Sequence, residues 1–288
     1  MIVLAVASGV LAGCGSSEHP RARTAVLPTA SPEPASPSRV PESGPSSPAP
    51  GPGGLTPVFE RRVDGSGPGS KAAGAHGGDK VVALTFDADM TADQGPRAAE
   101  GERFDNPALI ASLRRLKVPS TVFMTGRWAQ EYPDQARAIG TDPLFEIANH
   151  SFSHYAFSSP CYGLPTVAKA DMRADVERAF TAIRGTGARH VVPYFRFPGG
   201  CYDDESLKAL APTGVTAVQW DVVSGDAFAT DADAVAEQVL AGVEPGSLVV
   251  MHCTRSAAPV TDDAVRRIVP ELRERGYRFV KVSELMRG

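Results

Sequence analysis

Val81-Val82-Ala83-Leu84-Thr85-Phe86-Asp87-Ala88-Asp89 decides how this 288-residue chain folds. The first six side chains are apolar or β-branched, the make-up of a short buried strand, and two carboxylates fall where it ends. A polar loop over residues 90–105 follows. Asn106 then caps a helix with Pro107 at its first position, and Leu109, Ile110, Leu113 and Leu116 give that helix one apolar face. Strand, loop and helix make one unit, and the unit repeats.

Further strands are expected at residues 118–125, 145–148, 191–197, 215–220, 247–251 and 277–282. Helical periodicity and its stop signals place helices at 166–183, 205–211, 230–242 and 261–275, the last kinked at Pro270. A broken helix around Pro133 fills 126–139. About seven strands alternating with helices predict an α/β domain with a parallel sheet inside. Periodicity does not choose between a closed barrel and an open sheet.

In a parallel β/α fold, the residues just past the strands share one rim. Asp87, Asp89, His150, Arg196, Asp226 and His252 all stand at such positions. His154 joins them through Glu146-Ile147-Ala148-Asn149-His150-Ser151-Phe152-Ser153-His154, which sets two histidines four residues apart. On a helical turn, such a pair shares a face with Cβ atoms about 5–6 Å apart. Two imidazoles there can converge on one divalent ion at about 2.0–2.1 Å each. Asp87 or Asp89 supplies the missing oxygen ligand, and the other carboxylate can serve as general base toward water on the metal. His252 can protonate a leaving group while Asp226 orients its imidazole, and Arg196 can hold the basic aspartate by a two-pronged hydrogen bond. Backbone N–H groups in Pro198-Gly199-Gly200 can face an oxyanion. Each residue also has a plain structural use, in a turn, a cap or an ion pair. Their convergence on one rim favours metal-assisted hydrolysis of an amide or ester.

Upstream, the chain changes character. Residues 1–14 form an apolar segment ending in Leu11-Ala12-Gly13-Cys14, too short to span a membrane and typical of a secretory signal. Residues 15–78 are rich in Pro, Ser, Gly and Ala, cannot bury a core, and are expected to form a disordered, extended linker. The folded domain is expected at 79–287. A net charge of −4 and a pI near 5.9, with no Lys/Arg run, exclude a nucleic-acid footprint. No feature points to a protein partner. Cys161, Cys201 and Cys253 each follow a candidate motif closely, so one disulfide among them with one thiol left over is expected. Which two pair is open.

Two resemblances sharpen this reading. Leu11-Ala12-Gly13-Cys14 resembles a bacterial lipobox, which implies a lipid on Cys14 and attachment to the outer face of the cell membrane. The ordered set Thr85-Phe86-Asp87, His150-Ser151-Phe152-Ser153-His154, Arg196-Phe197-Pro198-Gly199-Gly200, Trp220-Asp221 to Asp226 and Leu248 to His252 resembles the polysaccharide deacetylase family with its NodB homology domain. That resemblance implies a distorted (β/α) barrel of about seven strands and a divalent metal, zinc or cobalt. It also implies removal of acetyl groups from an N- or O-acetylated polysaccharide, and location beyond a linker favours cell-wall glycan. By motif, Asp87 resembles the base, Arg196 the residue that holds it, His252 the acid, Asp226 its partner, and His150 and His154 the metal ligands.

The chain departs from the family pattern twice. Ala88 stands where the family has its metal-binding aspartate, so either Asp89 reaches the metal from one residue later or the metal is held by His150, His154 and water. Ala227 stands where the family has a tryptophan, which makes one wall of the cleft less aromatic. These departures support a rival from another class, a glycan-binding surface lipoprotein whose catalysis has lapsed. The presence of Asp87, Arg196, Asp226 and His252 together argues against that rival.

Overall fold

A computed structural model describes residues 51–63 and 79–287. The expected signal segment, Cys14 and most of the expected linker lie outside the described residues. Strands run in chain order as β1 (Val58–Phe59), β2 (Val81–Ala88), β3 (Ser120–Met124), β4 (Phe145–Asn149) and β5 (Val191–Phe195). They continue as β6 (Thr216–Val218), β7 (Val222–Val223), β8 (Ser247–His252) and β9 (Arg278–Phe279). All pair in one parallel sheet of order β1-β6-β5-β4-β3-β2-β8-β7, with β9 also on the start of β2. The helices are α1 (Gln94–Ala99), α2 (Pro107–Leu116), α3 (Gly126–Glu131), α4 (Pro133–Gly140) and α5 (Met172–Gly185). After them come α6 (Asp204–Leu210), α7 (Ala232–Gly242), α8 (Thr261–Glu274) and α9 (Val282–Leu285).

The sheet curls into the expected distorted barrel. Only residues 219–221 separate β6 from β7, although the two lie toward opposite ends of the strand order. Asp221 bridges this seam, its carboxylate accepting from Ser247 Oγ at 2.7 Å and the Leu248 N–H at 2.6 Å. The segment containing β1 covers the same seam. Pro57 and Phe59 carbonyls accept from the N–H groups of Ala217 and Gln219, and the Arg62 N–H donates to Gly246 O at 2.9 Å. Arg61 reaches Glu244 at 2.9 Å. Gly246 has a left-handed φ of 87°, and a Cβ there would lie 2.1 Å from the Arg62 carbonyl oxygen. No other residue fits. This corrects the expected linker, which ran unbroken to residue 78. Leu55-Thr56-Pro57-Val58-Phe59 carries enough apolar and β-branched character to pair at an open edge.

Side-chain alternation divides the core in two. On β2, Val82, Leu84, Phe86 and Ala88 face the helices, whereas Val81 and Ala83 face the barrel interior. The helices supply the outer wall, α8 burying Val265, Ile268, Val269 and Leu272, each contributing about 1.5–3 kcal/mol. Pro270 sits on the exposed face of α8, and the helix continues through it. Asn106 caps α2 as expected, its side chain accepting from the Leu109 N–H at 3.1 Å.

Some expected elements shift. Val222–Val223 forms a further short strand beyond the one expected at residues 215–220. The run expected as a strand at 277–282 gives only β9 before turning into α9, because Val280, Val282 and Leu285 fill the interior of the barrel. The helix expected from residue 166 starts at Met172, since Ala156 pairs with Pro165 and Val167 through backbone hydrogen bonds.

Candidate active site

The register of the strands brings the rim residues together. Asp87 pairs with His252 on β8 and with Phe123 on β3. Asp87 and Asp89 are two residues apart and so share the inward face, while Ala88 between them is buried among outward core residues. The same alternation turns His150, Arg196 and His252 inward. It sends their neighbours Ile147, Phe195, Phe197, Met251 and Cys253 into the outer layers.

Among the described residues, Asp89, His150 and His154 can close on one ion, their ligand atoms all lying within 4.8 Å of one another. His150 Nε2 is 3.3 Å and His154 Nε2 3.6 Å from Asp89 Oδ1. The histidines do not share a helical turn as expected. Ser151 and His154 have φ of 68° and 57°, and the imidazole centroids stand 5.1 Å apart across a tight loop. Small polar side chains build that loop. Asn149 Oδ1 accepts from the Ser151 N–H at 2.8 Å, and Ser151 Oγ from the His154 N–H at 2.9 Å.

His150 Nδ1 lies 2.9 Å from the Arg196 carbonyl oxygen. A carbonyl only accepts, so Nδ1 carries the proton and Nε2 keeps its lone pair toward Asp89. Asp89 Oδ1 is buried and has no hydrogen-bond partner. An orphaned carboxylate oxygen facing two imidazole nitrogens fits a divalent cation. Burial alone would raise the Asp89 carboxyl, but the histidines hold it well below the usual carboxylate range, His154 contributing most. Burial pushes His154 down to about 4, which leaves it neutral at pH 7. Burial also depresses His150, but Asp87 and Asp89 push it upward overall, so a cation there would compete with a proton.

Arg196 is fully buried and donates from Nη1 to Asp87 Oδ1 at 2.7 Å. Its Nε donates to Val218 O at 3.2 Å, and its guanidinium carbon lies 3.8 Å from the centre of the Phe123 ring. One prong therefore reaches Asp87, not two. The second Asp87 oxygen, Oδ2, stays free and stands 3.7 Å from His150 Nε2.

On the other flank, His252 Nδ1 is 2.7 Å from Asp226 Oδ1. The carboxylate must accept, so the His252 ring donates from Nδ1 and turns Nε2 toward Asp89 Oδ2, 4.0 Å away. Asp226 also accepts from the His252 backbone N–H at 2.7 Å, Thr261 Oγ at 2.7 Å and Ser224 Oγ at 2.9 Å. Burial pulls the His252 imidazole down, yet Asp226 beside it outweighs burial and pushes it up to about 10. Burial lifts Asp226, and the His252 cation holds it below its ordinary value overall.

Gly200 N–H closes a turn on Phe197 O at 2.8 Å, so that donor, expected to face an oxyanion, is already engaged. The cysteine question is also answered. Cys161 and Cys201 form a disulfide joining the loop after β4 to the loop after β5, and Cys253 is a buried free thiol pushed up to about 12 by burial. Thr254, Thr261 and Ser224 were not singled out from sequence. Thr254 Oγ accepts the Asp89 N–H at 2.9 Å and so fixes where Asp89 leaves β2. Their only signal is proximity to His252, Asp226 and the start of α8.

Comparison with known proteins bears on the family and the fold. Residues 74–218 match the Polysaccharide deacetylase family, and the chain belongs to that family. The match ends at β6, and β8 with His252 lies beyond it. A chitooligosaccharide deacetylase of Sinorhizobium fredii is 29% identical over 198 residues, spanning 65% of this chain and 86% of that protein. A peptidoglycan-N-acetylglucosamine deacetylase of Bacillus cereus is 27% identical over 212 residues, 73% of this chain and 89% of that one. Among solved structures, a peptidoglycan N-acetylglucosamine deacetylase bound to an N-hydroxybenzamide superposes with a TM-score of 0.63 at 22% identity, covering 80% and 92% of the two chains. A family 4 pseudoenzyme from Bacillus anthracis shares the fold at a TM-score of 0.59 and 23% identity, covering 79% and 68%.

Proposed function

We propose that this protein is a divalent-metal-dependent hydrolase that removes acetyl groups from an N-acetylated glycan. The observation that carries this reading is the orphaned Asp89 Oδ1 between two imidazole nitrogens, beside an Asp87 held by a buried arginine. Membership of the polysaccharide deacetylase family and the two curated glycan deacetylases support the reaction class.

Asp89, His150 and His154 would hold the ion, and two nitrogens with one carboxylate oxygen suit zinc, with cobalt a workable substitute. Bound there, the ion would polarise the acetyl carbonyl and make water acidic. Asp87 Oδ2 takes the proton from the attacking water, while Arg196 on Oδ1 fixes the carboxylate and keeps it from rotating away. His252, charged because of Asp226, gives its Nε2 proton to the departing amine nitrogen. The base and the acid are cross-strand neighbours, so both can serve one acetyl group. Ala88 does not disable the site, because strand alternation carries Asp89 back to the face that Asp87 uses.

The substrate is assigned as cell-wall or chitin-like glycan carrying N-acetyl groups. Lipid attachment through Cys14 to the outer face of the cell membrane belongs to the same proposal, and rests on Leu11-Ala12-Gly13-Cys14 alone. No helix among the described residues is long and apolar enough to cross a membrane. The deciding experiment measures acetate release from N-acetylated oligosaccharides by the metal-stripped and then zinc- or cobalt-loaded protein. Metal-dependent release that disappears in Asp87→Asn is expected. No release from any acetylated glycan, with metal bound, would favour the lapsed, glycan-binding reading.

A further inference from the structure

The loop that carries His150 and His154 also carries Phe152, which is buried and packs against α3. A Cβ on Gly126 would lie 2.3 Å from its ring. Two guanidinium groups share that ring. The Arg178 carbon, from α5, lies 3.6 Å from the ring centre, and the Arg127 carbon, from α3, lies 5.3 Å from it. Among the described residues, neither guanidinium makes a hydrogen bond or an ion pair, and the Arg127 Nε is buried. The nearest acids are engaged with other groups. Glu177 pairs with Arg173 at 2.8 Å, and Asp175 Oδ1 accepts from the Phe152 N–H at 2.6 Å.

Two like charges over one ring repel each other, and a buried N–H without an acceptor is costly. An anion seated between the arginines would relieve both. The two arginines line a cavity of about 300 Å³ together with Ser153, Tyr155, Asp171 and Asp175. That volume is at the small end for a ligand site and gives room for one sugar ring. An arginine fork matches a carboxylate in geometry and charge. The Ser153 and Tyr155 hydroxyls and the two aspartates suit the hydroxyls of a sugar. A bare anion would be repelled by Asp171 and Asp175, whereas one carboxylate among several hydroxyls uses both kinds of group. Ser153 lines this cavity and His154, the next residue, faces Asp89.

We propose that Arg127 and Arg178 form a binding site for the carboxylate of an acidic sugar in the glycan that the candidate active site takes. The proposal rests on the deacetylase reading for its choice of ligand, and it narrows the substrate to a glycan with carboxylate-bearing units. A neutral chitin-like chain offers the arginines no charge. A chain in which acidic units alternate with acetylated ones places a carboxylate close to every acetyl group. The loop of residues 150–154 then serves both ends of the contact, the metal ligands on one side and the Phe152 ring that seats the arginines on the other.

The test titrates full-length, metal-stripped protein calorimetrically with three oligomers of equal length. One is N-acetylglucosamine throughout, one alternates it with N-acetylmuramic acid, and the third is the alternating chain with its carboxyls converted to amides. The wild type is expected to bind the acidic chain most tightly and the other two alike. Arg127→Gln and Arg178→Gln are each expected to weaken binding of the acidic chain by about fivefold to tenfold. Both variants should leave binding of the neutral chain unchanged, which also shows that they are folded. Equal wild-type affinity for the acidic and amidated chains, equal losses for the acidic and neutral chains, or no loss in either variant would overturn the site. Acetate release is measured separately on the zinc-loaded wild type. Release with unaltered binding in the variants removes this proposal alone. Carboxylate-dependent binding losses without release by the wild type uphold the site and remove the deacetylase reading.

Discussion

Replacing Asp226 by Asn tests whether His252 is the acid and Asp226 the group that keeps it charged. Asp226 lies 2.7 Å from His252 Nδ1 and pushes the imidazole up to about 10 against its burial. A general acid works only while protonated, so its contribution is present at low pH and lost as pH rises through its pKa. The wild type should therefore hold its rate well into the alkaline range. With the carboxylate neutralised, the His252 pKa should fall back toward its ordinary value of about 6.5, and at pH 8.5 only about one imidazole in a hundred would carry the proton. The alkaline limb of kcat/KM should move to lower pH by roughly two to three units. The assay is acetate release across pH 5–10 with saturating metal, for both proteins. The ion's field is common to the two, so the difference isolates Asp226. Asparagine offers one acceptor oxygen where four donors now converge, so thermal unfolding and a direct NMR titration of the His252 ring accompany the rates. An alkaline limb that stays in place in a folded Asp226→Asn protein would refute the pairing.

Asp89→Ala should lower zinc affinity by about a hundredfold or more in calorimetric titration, while Asp87→Asn keeps the metal and loses acetate release; equal metal affinity in wild type and Asp89→Ala would return the ligand role to the histidines alone. Arg196→Ala leaves Asp87 as a buried carboxylate without its cation, and should cost about 3–5 kcal/mol in denaturant unfolding; a loss below about 1 kcal/mol would show that the pair is not structurally important. Gly246→Ala drives a Cβ into the Arg62 carbonyl at the barrel seam, so a drop in thermal midpoint of several degrees is expected, and an unchanged midpoint would mean the seam segment yields freely.

Much of the site was legible because strand ends and strand alternation are both written in sequence. Asp87, Asp89, His150, Arg196, Asp226 and His252 were all placed on one rim by the βα pattern, and the structure puts them there. The period of two, carried through the end of β2, turns Ala88 outward and puts Asp89 on the face that Asp87 uses, beside His150 and His154. Other features were hidden for physical reasons. The loop holding His150 and His154 imitates helical spacing, and only the positive φ of Ser151 and His154 distinguishes the two. The Cys161–Cys201 pairing depends on how two loops approach, and three cysteines near one rim leave that open. β7 and β9 span two residues each, too short for any periodicity. Val58–Phe59 was masked by the proline-rich composition around it, because an edge partner supplied by β6 needs no propensity signal beyond a few apolar residues.

That edge pairing has a consequence for how the domain can be cut. Residues 51–63 form a clasp over the joint between β6 and β8 and are joined to β2 through residues 64–78. The family match starts at residue 74, so a chain begun there would carry the rim residues of the candidate site and an unclasped joint. Conversely, a single cleavage within 64–78 would leave the two pieces held by backbone hydrogen bonds, the Arg61 ion pairs and the Gly246 cradle. The domain is then a two-fragment assembly waiting to be made, and a free peptide of residues 51–63 should restore stability to a protein that lacks it.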